Sequence, residues 1–378
     1  MRREFIPLSI PNFGIEEERN VLETIRTEQV SPNGAFVNDF EKKLQIYTKA
    51  SYVIACQNGT AGLHLAFLAL GIERGSEVIV PTLTFIAAAN AVRYVGAEPI
   101  FMDCDDFLNI DADKVQDFCE RECFFDGEKL INKKTHAVVR AILPVHIFGN
   151  LANMERIMEI ARNYNLKVVE DATEAIGCYF TDGKYAGCFA GTIGDVGVYS
   201  FNVNKIITSG GGGAVLTANE SLARRCKFYS TQAKEDALRF VHGAVGYNYR
   251  MGNIQAAIAV AQLDKLENFI QIKKNNYEAY QSRGIKLLPF QTNIRSNYWF
   301  YSCITTQRDE LIDELKKNRI QSRPIWALCH LQKPYLRNQN YYIEKASKYH
   351  ATVVNIPSST NMSLDDIDAV SEILKCYC

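Results

Sequence analysis

The sequence predicts an α/β fold with a mostly parallel central sheet and a smaller C-terminal α+β domain. Three observations carry that prediction. Short apolar, β-branched runs alternate with amphipathic stretches of helical length, the signature of βαβ units. Glycines follow the first two predicted helices, Gly71 and Gly96, where a left-handed residue commonly ends a helix. Beyond about Leu222 the alternation gives way to long helical patterns.

Taken in order, strands are predicted over residues 52–56, 77–81, 99–103, 137–146, 167–171, 196–201 and 213–217. Helices are predicted between them over residues 60–70, 85–95 and 151–164. Two long helices follow, 253–270 and 272–283, the first with Ile254, Ile258, Ala261 and the run from Leu263 to Leu266 as its buried stripe. The chain then reads as an extended segment over 297–305, a helix over 308–318 and a closing helix over 363–376. Ser363 caps the closing helix, and Asp366 makes its first turn acidic. The expected division is a large domain over residues 1–255 and a small one over 256–378.

Composition narrows the function classes. With 47% hydrophobic residues among 378, the chain can bury a sizeable core, which excludes wholesale disorder. Lys+Arg 42 against Asp+Glu 43 lacks the basic footprint of a nucleic-acid binder. The longest apolar run, residues 62–72, is too short to span a membrane, which takes about 20 residues. No signal peptide is visible behind Met1-Arg-Arg. The eleven cysteines contain no Cys-x-x-Cys and no zinc-site spacing, so reduced thiols, a cytoplasmic location and no metal site are expected.

Ligands of open parallel sheets sit at the carboxyl ends of strands, and four places there can carry chemistry. In Asn58-Gly-Thr-Ala a helix opens directly after a strand, so Gly59, Thr60 and Ala61 can hold a phosphate at its positive end, or form an ordinary strand-to-helix turn. The turn lacks both the Gly-Lys-Ser/Thr ending of a nucleotide loop and the Gly-x-Gly-x-x-Gly spacing of a dinucleotide site. Glu170 and Asp171 close an apolar strand. A buried Asp there needs a cationic partner such as a protonated ring nitrogen, unless it caps the next helix.

Lys205 lies in a loop of small residues before four consecutive glycines, between two predicted interior strands. Such a lysine is either solvated or buried. If buried, its amine is shifted toward the neutral form that attacks carbonyls, and the glycines let the backbone approach a bound ring. Gly246-Tyr-Asn-Tyr-Arg-Met supplies amide and guanidinium donors for phosphate or carboxylate. A phosphate cup, a buried carboxylate and an activated lysine together are the equipment for pyridoxal phosphate.

The chain resembles the sugar-nucleotide aminotransferases, the DegT/DnrJ/EryC1/StrS family of pyridoxal-phosphate enzymes with the aspartate-aminotransferase-like fold (fold type I). The likeness runs over nearly the whole length. It passes through Asn58-Gly-Thr-Ala, Pro81-Thr-Leu-Thr-Phe-Ile-Ala-Ala-Ala-Asn, Pro144-Val-His-Ile-Phe-Gly, Glu170-Asp-Ala, Tyr199-Ser-Phe-Asn-Val-Asn-Lys and Gly246-Tyr-Asn-Tyr-Arg-Met.

The resemblance implies that Lys205 is the Schiff-base lysine, that Asp171 pairs with the pyridine nitrogen, and that Phe85 stacks on the ring rather than serving only as a core residue. It implies that Gly59, Thr60, Ala61 and Ser200 hold the phosphate, joined by Asn248 from the other subunit of a homodimer. Glu174 stands where the family commonly has Gln and is placed beside the cofactor. His146, Arg250 and His330 are implied on the substrate side, although a lone His is more often structural.

Within the family the chain is most similar to the legionaminic-acid subgroup, through residues 101–111, the insert around 124–134, Val145-His-Ile-Phe-Gly-Asn and residues 205–213. Val203 stands where that subgroup usually has Gly. The implied reaction is ping-pong transfer of the amino group of L-glutamate to a 4-keto-6-deoxy-N-acetylhexosamine carried on UDP or GDP. An aminotransferase on another keto-sugar, of the 3-keto or perosamine type, and a non-catalytic cofactor-binding module are the alternatives. A dehydratase on this scaffold would carry His in place of Lys205, a cofactor-dependent regulator would need a DNA-binding domain, and an oxidoreductase would need a dinucleotide fingerprint.

Overall fold

The computed structural model describes residues 4–236 and 238–378. Its main sheet runs, edge to edge, Tyr52–Cys56, Gly213–Thr217, Val196–Ser200, Lys167–Asp171, Val138–Ile142, Ser76–Pro81, Glu98–Met102 and Asn340–Tyr341, with a short β-ribbon (Cys123–Phe125 and Leu130–Asn132) appended beside Val138–Ile142. Gly213–Thr217 alone on that path is antiparallel to its neighbours, so the sheet is mostly parallel as predicted. The β-ribbon was not anticipated. The strand predicted over 137–146 stops at Ile142, and residues 143–146 continue as the loop that passes Asp171.

Parallel strands bring chemically unrelated loops to one edge. The helix Gly59–Leu70 begins there because Asn58 is extended and its side-chain oxygen accepts the Ala61 N–H at 2.8 Å. It ends because Gly71 adopts φ 73°, at no Cβ cost.

The two helices predicted over 253–283 are one, Asn253–Ser282. No Gly or Pro interrupts it, and residues about 270–272 simply continue the turn. Its buried stripe also differs from the prediction: Ile254 is exposed and Ile258 half-buried, while Ala256, Val260, Leu263, Leu266 and Ile270 face the core. The N-terminal helices Ile15–Arg26 and Ala35–Thr48, which the β-run pattern did not reveal, pack on this long helix.

A second core forms around Tyr280, Tyr301, Leu311, Leu315, Val354, Ile356 and Ile367. It is built by the sheet Tyr301–Ile304, Val353–Ile356, Arg323–Pro324 and the helices Arg308–Lys317 and Leu364–Leu374. Ser363 caps the last helix as expected, its Oγ accepting the Asp366 N–H at 3.1 Å. The expected division at 255/256 falls at the start of the long helix, whose first half packs in the large core and whose end packs in the second. Segments cross that line in both directions: Ile6 joins the second core, while Asn340–Tyr341 joins the large sheet and Trp299, Phe300, Ile325 and Leu328 join the large core. Among the described residues no helix is long and apolar enough to cross a membrane.

Candidate active site

A cavity of about 910 Å³ opens at the carboxyl ends of the parallel strands, with Arg323, Pro324 and Asn355 of the small C-terminal sheet also on its wall. Gly59, Thr60, Ala61, Phe85, Asp171, Glu174, Ser200 and Lys205 all line it. One floor corner is the N-terminus of Gly59–Leu70. Asn58 satisfies the Ala61 N–H, and the N–H groups of Gly59 and Thr60 have no partner within the helix. A Cβ on Gly59 would lie 2.9 Å from the Cβ of Ser200, so only glycine lets this helix end close on the Ser200 strand.

The four-glycine run does not touch the cavity. Gly212, at φ 96°, donates its N–H to the Gln57 carbonyl at 2.7 Å, and a Cβ on Gly213 would sit 2.6 Å from the Asn58 carbonyl carbon. The expectation that these glycines approach a bound ring is therefore corrected. They let the strand pass against the turn that precedes the phosphate-cup helix.

Three carboxyls emerge from the strand Lys167–Asp171 and its following turn. Glu170 faces away from the cavity. Burial pushes its pKa up, but the hydrogen bond from His146 and the amides of Gly194 and Gly191 outweigh that and hold it below the ordinary value. Asp171 faces the cavity with one side-chain oxygen accepting the Thr173 N–H at 3.1 Å, and burial raises its pKa. Glu174 is pushed up to about 7 by burial, opposed by the charge of Lys205 and by the Phe148 N–H at 3.1 Å.

Lys205 is buried. Desolvation lowers its pKa, and Glu174 and Asp171 pull it back up. Its Nζ stands 3.7 Å from Glu174 Oε1 and 4.2 Å from the centroid of the Trp299 ring. It is thus a shielded amine with carboxyls on one side and an aromatic face on the other.

Four expected residues lie elsewhere. His146 is fully buried beneath the site. Its Nδ1 accepts the Ala152 N–H at 3.1 Å, so its Nε2 carries the proton and donates to Glu170 at 3.0 Å, leaving neither nitrogen for a substrate. His330 is held through Nδ1 by the Thr82 hydroxyl at 2.6 Å, outside the cavity lining. Arg250 gives its guanidinium to Asn33 Oδ1 at 2.6 Å and to the Pro32 carbonyl. Asn248 is exposed and outside the lining of its own chain's cavity, although its neighbour Tyr249 lines it. Sequence reasoning missed Asn58, Trp299, Asn204 and Arg323. The helix start at Asn58-Gly-Thr-Ala signalled the first, while Trp299 and Arg323 come from segments that only the tertiary fold brings to the cavity.

The family model for the DegT/DnrJ/EryC1/StrS aminotransferase family matches residues 12–375. The chain belongs to that family. Among its relatives, GDP-perosamine synthase of Caulobacter vibrioides is 36% identical, covering 97% of this chain and 96% of that protein. GDP-perosamine synthase of Escherichia coli O157:H7 is 35% identical, covering 98% of this chain and 97% of that protein. The crystal structure of a DegT DnrJ EryC1 StrS aminotransferase from Brucella abortus superposes with a TM-score of 0.88 at 27% identity, covering 96% of this chain and 95% of that one.

The enzyme is a pyridoxal-phosphate-dependent sugar aminotransferase, and the residues of its cavity fit that cofactor. Phe85 is 56% exposed although it stands on the cavity wall, an aromatic face offered to a ring. Asp171 is a buried carboxyl with no salt bridge among the described residues, suited to a protonated ring nitrogen. The helix N-terminus with Thr60 and Ser200 suits a phosphate, and the shielded amine of Lys205 suits an aldehyde.

Proposed function

We propose that this aminotransferase moves the amino group of L-glutamate to the C4 keto carbon of a nucleotide-linked 4-keto-6-deoxyhexose, as a homodimer in which Asn248 reaches the partner's phosphate cup. The observation that carries the reading is the placement of the largely shielded Lys205 amine between Glu174 and the Trp299 ring, in the same cavity as Asp171 and the helix N-terminus. The bound cofactor supplies an aldehyde carbon and a conjugated ring that takes up negative charge. The protein supplies everything else. Thr60, Ser200 and the amides of Gly59 and Thr60 hold the phosphate end, and Phe85 fixes the plane of the ring. Asp171 keeps a proton on the ring nitrogen.

Lys205 takes a proton at Nζ from the amino donor's α-carbon and returns it on the acceptor side. Burial favours the neutral amine this needs, and Glu174 and Asp171 favour recapture of the proton. The aromatic wall of Phe85, Trp299, Phe300 and Trp326 sheds water from the reacting carbon.

The N-acetylated acceptor of the legionaminic type rests on the motif likeness alone. The GDP-perosamine synthases at 36% and 35% identity favour a second reading, a GDP-linked acceptor without the N-acetyl group. A panel of UDP- and GDP-linked 4-keto-6-deoxy sugars, with and without the N-acetyl group, separates the two when supplied with L-glutamate. 2-Oxoglutarate formation is expected with one 4-keto class. Turnover confined to 3-keto sugars, or none with any member, overturns the reading.

A further inference from the structure

Trp299 touches the reacting lysine twice from outside the elements that carry the family motifs. Its ring face lies 4.2 Å from Lys205 Nζ, and its indole Nε1–H donates to the Asn204 carbonyl, the peptide just before Lys205, at 2.8 Å. Trp299 itself is 2% exposed and is anchored from three directions. Its N–H is taken by Asn297 Oδ1 at 3.0 Å, and the same Asn297 side chain donates to the carbonyls of Glu174 and Ile176 at 2.9 and 3.0 Å. Its carbonyl accepts from Lys273 Nζ at 2.8 Å and from Ser358 Oγ at 3.2 Å. Phe300 stacks on its ring with centroids 4.1 Å apart.

The Lys273 anchor is unusual chemistry for a structural post. This lysine on the long helix is fully buried and donates only to main-chain carbonyls, those of Trp299 and Ser358, with Tyr301 as the neighbouring ring. A buried amine satisfied in this way fixes the carbonyls it touches.

We propose that Trp299 is a positioning residue for Lys205: its indole N–H pins the turn that carries the lysine, and its ring face holds the ε-amine as an alternative to a close pair with Glu174. The inference rests on the reading of Lys205 as the reacting amine. The groups facing that amine are Glu174 and Asp171 from the 167–174 segment and the Trp299 ring from the extended segment leading into the strand Tyr301–Ile304. An ammonium gripped at hydrogen-bond distance by a carboxylate would be slow to give up its proton and to swing toward a carbonyl. An aromatic face stabilises the same charge without a directional bond and leaves the amine free to turn.

The test uses the cofactor-free protein, so its outcome does not depend on turnover. Acetic anhydride labels Lys205 across pH, with peptide mass spectrometry as the readout and exposed lysines as internal standards. Trp299→Leu is expected to lower the labelling midpoint of Lys205 by about one pH unit, because the ring no longer stabilises the protonated form. Trp299→Phe keeps a ring face and is expected to leave the midpoint in place. Both variants lose the indole N–H and are expected to speed amide deuterium exchange across residues 202–206 at least several-fold.

A folded W299L with an unmoved midpoint, or a W299F with unchanged exchange at that turn, overturns the proposal. If W299L does not fold, the exchange result on W299F decides. Borohydride trapping of the loaded wild-type protein separately tests whether Lys205 bears the cofactor, so failure of that reading is distinguishable from failure of this one.

Discussion

Glu170 and Glu174 leave the same strand-to-turn segment, and both are out of water, yet the structure drives their protons in opposite directions. Glu170 collects His146 Nε2 at 3.0 Å and the N–H groups of Gly191, Ile193 and Gly194 at 2.9, 2.7 and 2.6 Å. Glu174 receives one N–H, from Phe148 at 3.1 Å, and a lysine at 3.7 Å. Burial raises a carboxyl's pKa in both places. The supply of donors decides which becomes a fixed anion that fastens the strand to the loop over 191–194 and which stays a titrating group at the cavity.

The largest effect separates the cavity side of that comparison from the far side. Lys205→Ala removes the cation that faces Asp171 and Glu174 and leaves the Glu170 cluster untouched. Turnover is expected to fall by at least ~10²–10⁴-fold, the range for losing a positioned acid–base group, with loss of the covalent nucleophile added to it. Borohydride is expected to fix no cofactor mass on the peptide carrying residue 205. Multiple-turnover amination at the wild-type rate by this variant would end the assignment.

Next comes the fixed anion. Glu170→Gln keeps the volume but discards the charge that four donors converge on, and is expected to lower stability by about 2–4 kcal/mol at neutral pH. Because Glu170's pKa is depressed by folding, its contribution is present above the unfolded value of 4.5 and lost as pH falls through the lower folded one. The two proteins should therefore converge in urea midpoint in acid. Equal midpoints at pH 7 would show that the donors do not need the charge.

What the sequence made legible follows this same division. Asp171, Lys205 and the Gly59 turn were legible because each lies at or just past the end of a predicted strand, where a parallel sheet must present its ligand site, whereas Phe85 came only from the family resemblance. His146 was misread because a histidine's role is set by what its nitrogens meet. The Ala152 N–H and the Glu170 carboxyl that occupy His146 come from separate loops. Trp299 was unreadable for the same reason, since its contact to Lys205 is purely tertiary. The single long helix was read as two because residues about 270–272 shift the apolar stripe from one core to the other without breaking the backbone.

The smallest effect sharpens the comparison most, because its sign reverses. Folding raises the pKa of Glu174 to about 7 from 4.5, so its contribution to stability is complete below the unfolded value and disappears as pH rises through the folded one. Glu174→Gln cannot titrate. It should be close to wild type in stability near pH 8, or above it by about 1 kcal/mol, and lose that advantage as pH falls toward 5, opposite in slope to the Glu170 variant. The shift is kept small by Lys205, which shares the charge of the pair. Without the carboxylate, the Lys205 amine loses a partner that favours protonation, and the acid limb of the rate profile should move down by less than about one unit. Urea midpoints of both variants from pH 3 to 8 provide the check: parallel slopes would mean that Glu174, like Glu170, is a fixed anion, and that donors to it exceed the one amide and one lysine described above.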